Sequence, residues 1–442
     1  SSPVSTQPRF FERVEEYNGI GFEVEWDVTD RLSLSADISH SSTTRSDLDR
    51  RSRFRIGPTD IFGDETPVRL AFPEFTYVMP MAYEHVGDVP SFYLDPNIAD
   101  ITDPTIFASK HSFTEQTSTS EHEINAFTLD ANYAIDGDFF QSVSAGIRIA
   151  QMSYDQKKFK LDKEVGNPDD IRRANENCHI DFPQDDFLDS ASGAEITSWA
   201  SFDTLCLYRE AFGAEHIDVV PEPRSPDHVD VDEDTIAAYA MAEFSSQIGN
   251  LPFTGNFGVR FVQTKNYATG LRDEYKIVPE GDEGNIVLLP TGEFDVVAFE
   301  HDYFHVLPSV NVNFALEENL LLRGAVYRAL SRPDPSKLGS GRDFVVDSSE
   351  NGFETVEEAI KSVTAKGSPG LEPLLAWNAD LSLEWYPNEE TIVAGALYYK
   401  MFEGGSIGVV LDETYVIDGE EVTIPVSQDK TTDDTSRLLG LE

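Results

Sequence analysis

The stretch 21–38 reads GFEVEWDVTDRLSLSADI and has a period of two. Before the pair Thr29-Asp30, apolar side chains alternate with acidic ones. After this pair, leucine, alanine and isoleucine alternate with polar residues. Such alternation predicts β-strands, because successive side chains of a strand point to opposite faces. The two segments therefore form a predicted β-hairpin with one apolar face and one polar face.

The same pattern recurs along the chain as pairs of predicted strands, each pair joined by only a few residues. The five pairs cover 19–28 and 31–41, 121–135 and 140–153, 233–248 and 253–266, 299–315 and 319–332, and 375–386 and 390–403. An eleventh strand begins at Ser436, and Thr355 to Ile360 predict a short helix. The connections between pairs are long, at about 42–120, 154–231, 267–297, 333–374 and 404–432. We interpret these five segments as loops.

Short turns at one end of the strands and long loops at the other are typical of a transmembrane antiparallel β-barrel. The predicted fold class is therefore all-β, with the apolar face toward lipid, the short turns periplasmic and the long loops extracellular. A soluble antiparallel β protein is the alternative, but it leaves the length of every second connection unexplained. The predicted lipid-facing residues are Phe22, Val24, Leu32, Leu34, Phe127, Leu129, Val143, Ile147, Leu381 and Leu383.

The charge of the chain is strongly negative. Lysine and arginine number 33 and aspartate and glutamate 80, which gives a net charge of −47 over 442 residues. Such a surface repels nucleic acid phosphates, so nucleic-acid binding is excluded. The same charge argues against sulfated or uronate-rich glycans as ligands and concentrates cations. An acidic surface that serves only solubility explains the charge equally well.

The two cysteines, Cys178 and Cys206, lie in the predicted loop 154–231. A single close pair in one polar loop predicts a disulfide formed in an oxidising compartment. Two free thiols are the alternative interpretation. The spacing excludes a CxxC metal or redox motif.

Three aromatic residues near Cys206, namely Trp199, Phe202 and Tyr208, are the predicted ligand-binding residues. Aromatic rings bury the apolar face of a sugar while neighbouring polar groups bind its hydroxyls. The alternative is a small core that holds the loop together.

Three aspartates, Asp230, Asp232 and Asp234, alternate at the entrance of a predicted strand and so share a face. Carboxylate oxygens suit calcium, which is the one metal that the sequence predicts. A solvated acidic rim explains the same residues. No other cofactor is predicted, and the absence of P-loop, GxGxxG and GxSxG motifs argues against an enzyme.

Three arginines, Arg148, Arg260 and Arg323, fall on positions predicted to face the polar side of the sheet. Because charged groups in a confined space are usually paired, we expect them to contact carboxylates such as Asp130 or Glu384.

Several segments carry a resemblance to a known family. They read LPSVN at 307–311, SRP at 331–333, GSPGLEP at 367–373 and WNADLSLEWY at 377–386. The chain resembles the barrel domain of TonB-dependent outer-membrane receptors, in the proteobacterial subgroup associated with carbohydrate uptake. That family has a plug domain inside a barrel of twenty-two strands. No plug is recognisable here, so residues 1–442 are interpreted as about half of such a barrel and as an internal fragment.

The resemblance implies an energised importer in the outer membrane of a Gram-negative bacterium, with an oligosaccharide as ligand. It implies two kinds of partner besides the ligand: the inner-membrane TonB energy-coupling complex, reached through parts not recognised here, and outer-membrane lipid with lipopolysaccharide. A siderophore or iron-chelate receptor of the same fold is one alternative. A non-transporting adhesive or structural barrel with acidic loops is the other.

Overall fold

The computed structural model describes residues 5–56, 81–84, 91–94, 100–108, 110–192, 196–219, 223–280, 285–347 and 352–441. The strands are β1 Ser5–Thr6, β2 Arg9–Asp27, β3 Leu32–Arg55, β4 Met81–Glu84, β5 Ser91–Leu94, β6 Lys110–Ala134, β7 Phe140–Val165, β8 His179–Ile180, β9 Ser201–Phe202, β10 Val229–Ile248, β11 Leu251–Glu280, β12 Asn285–Glu317, β13 Leu320–Ser331, β14 Arg342–Val346, β15 Ile360–Ala365, β16 Leu374–Asn388, β17 Thr391–Glu403, β18 Ser406–Ile417, β19 Glu420–Thr431 and β20 Thr435–Leu441.

The helices are α1 Pro168–Cys178, α2 Thr204–Phe212 and α3 Val356–Ala359, with single 3₁₀ turns at Pro104–Ile106 and Pro335–Lys337. Helix α3 lies where the sequence predicts it, and the Thr355 hydroxyl caps it by accepting from the Glu358 amide at 3.3 Å. Within the described residues, every helix is too short or too polar to span a bilayer.

One large sheet contains most of the described strands. Its strands follow one another in the order β1-β3-β6-β7-β10-β11-β12-β13-β16-β17-β20, and β2 pairs with β3. From β7 to β20 the neighbouring strands of this order are antiparallel. The predicted all-β class and antiparallel sheet are therefore confirmed.

The predicted lipid-facing side chains do not belong to a buried core. Eight of them are exposed, namely Phe22, Val24, Phe127, Leu129, Val143, Ile147, Leu381 and Leu383. Leu32 and Leu34 are half-buried. Exposed apolar residues on one face of paired strands are the pattern expected of a sheet that contacts lipid.

Several strands are longer than the sequence predicts. β3 continues to Arg55, β7 continues to Val165, and β11 and β12 stay paired as far as Glu280 and Asn285. The predicted loops 42–120, 154–231 and 267–297 therefore begin or end inside strands. In the extensions of β3 and β7 both faces carry polar residues, which removes the apolar period while backbone pairing continues.

The predicted loop 404–432 is also incorrect, because β18 and β19 form a hairpin there. Asp418 and Gly419 turn the chain with φ values of 47° and 86°. Two positive φ values match a type I′ turn, for which the dipeptide Asp-Gly is a strong signal. Val422 and Ile424 of β19 are buried and lie two residues apart, which is the alternation expected of a strand.

The structure divides into two compact units, which are described separately. Unit 1 comprises residues 1–14, 46–118 and 158–223. Its core packs α1 and α2 against strand residues, with Ile171 and Leu207 as the buried residues of the two helices. Helix α2 begins at the cap Asp203, which accepts from the Leu205 and Cys206 amides at 2.9 and 3.1 Å.

Unit 2 comprises residues 15–45, 119–157 and 224–442. A buried cluster joins α3, β15, β18 and β19, with Val356, Val363, Ile417 and Val426 almost fully buried. This cluster explains why part of the predicted loop 333–374 is ordered into β14, α3 and β15.

Candidate functional site

The two helices of unit 1 are joined covalently. Cys178 is the last residue of α1, Cys206 lies in the first turn of α2, and the two form a disulfide with Cα atoms 5.5 Å apart. The predicted disulfide is therefore present. It fixes the segment between the helices at both ends, and that segment contains the predicted aromatic residues Trp199 and Phe202.

The structure places two of the three predicted ligand-binding aromatics in the core. Tyr208 is fully buried, and its hydroxyl donates to the Thr114 carbonyl at 2.8 Å. Burial raises the pKa of this phenol. Phe202 is 4% exposed, and its ring centroid lies 4.9 Å from that of Phe54. Such placement matches the alternative of a small core, and we correct the expectation that Phe202 and Tyr208 present free ring faces.

Trp199 is the exposed member of the three. Its side chain is 37% exposed, and two phenylalanines hold it by edge contacts. The Phe182 ring lies 4.5 Å away at an interplanar angle of 68°, and the Phe187 ring lies 5.6 Å away at 88°. Edge-to-face pairs orient a ring while leaving part of its surface free.

A groove of about 540 Å³ runs beside Trp199 in unit 1. Trp199 and Ile180 supply apolar surface, and Gln7, Arg9 and Ser201 supply polar groups. The Arg9 guanidinium is held by Asp49 through two hydrogen bonds of 2.8 and 2.9 Å. An oriented aromatic ring beside fixed hydrogen-bonding groups is the combination that binds a sugar ring.

The three aspartates at the start of β10 share an exposed face, as predicted. The Asp230 carboxylate accepts from the Thr269 hydroxyl at 2.8 Å, and that of Asp234 accepts from the Gln151 amide at 3.1 Å. The first and last aspartate of such a series are separated by about 13 Å along a strand, too far for one ion. Across the ranges that the structure describes, no three metal-binding side chains converge. The calcium site at Asp230, Asp232 and Asp234 remains a prediction.

The three arginines predicted on the polar face, Arg148, Arg260 and Arg323, were expected to pair with carboxylates. One of them does so in the structure. Arg323 forms an ion pair with Glu384 at 3.2 Å. Arg148 instead donates to the Thr128 hydroxyl at 3.2 Å, and Asp130 accepts from the Tyr239 hydroxyl at 2.7 Å. The Asp130 carboxylate that we expected Arg148 to bind therefore accepts from Tyr239.

Some residues of these sites were not predicted. Phe182, Phe187 and Ile180 lie in the predicted loop 154–231, where their apolar character among acidic residues was the available signal. Gln7 and Arg9 are far from Trp199 in the sequence, and only the fold brings them to the groove.

Residues 82–404 match the family described as "TonB dependent receptor-like, beta-barrel". The chain belongs to this family. TonB-dependent receptors of this kind are outer-membrane proteins, and the family is one of receptors and transporters and not of enzymes. No curated protein sequence matches the chain.

Two solved receptors are similar in structure. The siderophore receptor PirA from Acinetobacter baumannii is 7% identical with a TM-score of 0.33, and the alignment covers 100% of this chain and 60% of PirA. A variant of the ferric enterobactin receptor PfeA from Pseudomonas aeruginosa is 9% identical with a TM-score of 0.32, covering 100% and 59%. The chain thus spans about three fifths of the length of these receptors.

Proposed function

We propose that this TonB-dependent receptor is an active importer and that its ligand is an oligosaccharide. Membership of the receptor family supports the transport class. Energy would come from the inner-membrane TonB complex, acting through parts of the full-length protein, and the apolar face of the sheet would contact outer-membrane lipid and lipopolysaccharide.

The groove beside Trp199 is the observation that supports the ligand class. A sugar ring stacked on one aromatic side chain gains about 1–2 kcal/mol from apolar burial. Since a micromolar dissociation constant requires about 8 kcal/mol, an oligosaccharide must make several such contacts together with hydrogen bonds. The polar groups of Gln7, Arg9 and Ser201 line the same groove and supply donors and acceptors for hydroxyls.

The groove is tested by substituting Trp199→Ala in the intact receptor and measuring binding of a panel of neutral oligosaccharides by calorimetry. We expect the affinity for the bound glycan to fall about tenfold, the equivalent of about 1.4 kcal/mol. Trp26→Ala is the matched control, because Trp26 is an exposed tryptophan on the sheet. Unchanged affinity in a folded Trp199→Ala receptor would exclude the groove as the glycan site.

A strain lacking the receptor separates the proposal from its alternatives. We expect slower growth on an oligosaccharide as sole carbon source and normal growth under iron limitation. The reverse result would identify an iron-chelate receptor, and normal growth in both conditions would favour an adhesive or structural barrel.

A further inference from the structure

The apolar face of the sheet in unit 2 carries a groove of about 460 Å³. The groove crosses β2, β3, β6 and β7, which are neighbours in the sheet. Its large apolar lining residues are all exposed, namely Ile20, Phe22, Ile38, Phe127 and Ile149. Polar side chains that line it belong to His40, Asn125 and Gln151. This combination matches the polarity of a lipid, in which apolar acyl chains end in polar linkages.

The polar lining residues lie together at one end of the groove. On β3, β6 and β7 each of them is two positions from an apolar lining residue, on the side away from the short turns. Residues two apart on a strand share a face. His40 Nδ1 and Asn125 Oδ1 form a hydrogen bond of 2.9 Å. The Gln151 amide donates to the Asp234 carboxylate at 3.1 Å. Hydrogen-bonding groups therefore follow the edge of the apolar surface.

The register of the strands gives the depth of this polar end. Across β7, β10 and β11 it places Gln151, Asp234 and Lys265 in one row. The next row toward the short turns begins with Ile149 and Ile236, and Ile236 is 53% exposed. A transmembrane strand needs about 9–11 residues, and Ile149 is the tenth residue of β7, counted from the turn that precedes it. The polar end of the groove therefore matches the depth at which the hydrocarbon of a bilayer ends.

The other boundary of the apolar face carries aromatic rings, as is usual at a membrane interface. Phe244 of β10 stacks on Phe139 with ring centroids 5.3 Å apart, and its centroid lies 6.0 Å from that of Phe253. Phe244 and Asp234 are ten residues apart on β10. At about 3.3 Å per residue and a tilt of about 45°, ten residues cross about 23 Å, close to the apolar band of about 25 Å in transmembrane barrels. The apolar face thus has the height of a bilayer core.

Other parts of a longer receptor would not close the groove. A plug lies inside a barrel and therefore contacts the polar face of the sheet, whereas the groove lies on the apolar face. A strand added beside β2 would pair with its edge through backbone hydrogen bonds and extend the sheet sideways. The groove is therefore open to the medium that surrounds the barrel, which in a bilayer is lipid.

We propose that the groove seats acyl chains of lipopolysaccharide, with the ester or amide linkages of these chains at His40, Asn125 and Gln151. The proposal rests on the part of the proposed function that sets the apolar face against outer-membrane lipid and lipopolysaccharide. Within a bilayer, packing and hydrogen bonds select a partner, because burial of apolar area brings no net gain there. The four strands span about 14 Å at their spacing of about 4.8 Å. This width suits the several chains of lipopolysaccharide better than the two chains of a phospholipid.

The test compares two lipids as probes, lipopolysaccharide with a minimal sugar core and phosphatidylethanolamine. Binding of each radiolabelled lipid to the intact receptor is titrated in detergent with magnesium present. Magnesium is needed because carboxylates such as Asp234 repel the phosphates of lipopolysaccharide unless a divalent cation lies between them. We expect lipopolysaccharide to bind about tenfold more tightly than phosphatidylethanolamine.

Two tryptophan substitutions on β7 locate the site. Ile149→Trp fills the groove, removes packing contacts from the acyl chains and should lower the affinity for lipopolysaccharide about tenfold. Ile147→Trp is the matched control, because Ile147 is an exposed residue on the same face of the same strand and lies outside the groove. We expect this control to change the affinity by less than about twofold.

The polar end of the groove is tested in the same way. Asn125→Leu removes a hydrogen-bonding group at nearly constant shape and should lower the affinity for lipopolysaccharide about fivefold. Gln263→Leu is its control, because Gln263 lies at the same boundary on β11, outside the groove, and donates to Asp302 at 3.2 Å. We expect the control to keep the affinity of the wild-type receptor.

Equal affinity of the wild-type receptor for the two lipids would overturn the proposal, as would lipopolysaccharide binding that survives Ile149→Trp combined with Asn125→Leu. A wild-type dimer that Ile149→Trp separates, measured by sedimentation in detergent, would assign the groove to a second copy of the chain and would also overturn it.

Glycan binding by the same variants, measured by calorimetry, separates this proposal from the oligosaccharide ligand. Lipopolysaccharide binding that is lost only in the groove variants, with no binding of any glycan, would support the groove and contradict the oligosaccharide ligand. Unchanged lipopolysaccharide binding in the groove variants of a receptor that binds glycan would contradict the groove alone.

Discussion

At the scale of single residues, His111 shows how burial sets a protonation state. Its ring lies between Phe54 and Phe113, with centroid distances of 3.9 and 3.8 Å, and the residue is 1% exposed. Within the described residues its Nε2 atom has no hydrogen-bond partner. Burial lowers the pKa of this imidazole from 6.5 to about 3, so the ring is neutral in the folded protein.

We expect His111 to make unit 1 sensitive to acid. Between about pH 6.5 and pH 3 the unfolded chain binds a proton that the folded chain does not. The free energy of unfolding therefore falls as the pH falls, by at most about 1.4 kcal/mol per pH unit from this group. Urea unfolding at about pH 7 and about pH 4.5 measures the slope, which His111→Phe should reduce. An identical slope in the variant would show that other groups cause the acid sensitivity.

An ion pair between a buried arginine and a half-buried glutamate joins β14 to β18 in unit 2. The Arg342 side chain is 5% exposed and donates two hydrogen bonds of 2.9 and 3.0 Å to Glu413. Gln428 donates to the same carboxylate at 2.8 Å. Removing Arg342 leaves the Glu413 carboxylate 25% exposed, with Gln428 and Tyr415 as its remaining donors. The loss of a charged hydrogen-bond partner at such a site costs about 1–3 kcal/mol.

We therefore expect Arg342→Met to lower the free energy of unfolding by about 1–3 kcal/mol. The control is Arg13→Met, because Arg13 forms an exposed pair with Asp47 at 2.8 Å and should lose less than about 1 kcal/mol. Chemical unfolding of the variants in lipid vesicles gives these values. Similar losses for the two variants would mean that burial does not govern the energy of the Arg342 pair.

At the scale of elements, the hairpin β18–β19 depends on its turn. Gly419 has a φ of 86°, a region where a side chain costs about 1–2 kcal/mol. We expect Gly419→Ala to destabilise unit 2 by about this amount, measured by thermal unfolding. Gly408→Ala, in β18, is the control, since no atom lies within 4 Å of an added Cβ and its φ is not positive. Equal losses would exclude strain at the turn as the cause.

The elements also show what the sequence could predict. The hairpins were predictable where one face is apolar and the turn is short, as at Thr29-Asp30. The ends of β3 and β7 were not, because polar residues occupy both faces of their extensions while the backbone stays paired. For Tyr208 the sequence left two interpretations open, a ligand contact and a small core. The contact that decides for the core joins its hydroxyl to the Thr114 carbonyl at 2.8 Å, and Thr114 lies 94 positions earlier in the chain.

At the scale of the whole molecule, the amino-acid composition and the positions of residues in the fold predict different properties of the protein surface. The net charge of −47 predicts the repulsion of polyanions, but only the register of β7, β10 and β11 reveals that Arg148 and Arg260 lie on the same face of the sheet. Among the site residues, the disulfide and the exposed position of Trp199 agree with expectations from the sequence. The net charge thus bears on the class of ligand that the protein repels, whereas only the fold shows which side chains lie together.

In a bilayer, a charged substitution should cost more free energy on one face of β2 than on the other. Val24 is 47% exposed on the apolar face, and its neighbour Glu23 projects to the opposite face. We expect Val24→Arg to lower the free energy of unfolding from lipid vesicles by about 2–4 kcal/mol, the cost of arginine near the bilayer midplane. Glu23→Arg should cost far less, because that face does not contact lipid. Urea unfolding of the two variants in vesicles measures the difference. Equal losses of unfolding free energy for Val24→Arg and Glu23→Arg would contradict the expected orientation of the sheet. The period of two in the first hairpin is expected because one face of its strands contacts lipid and the other does not.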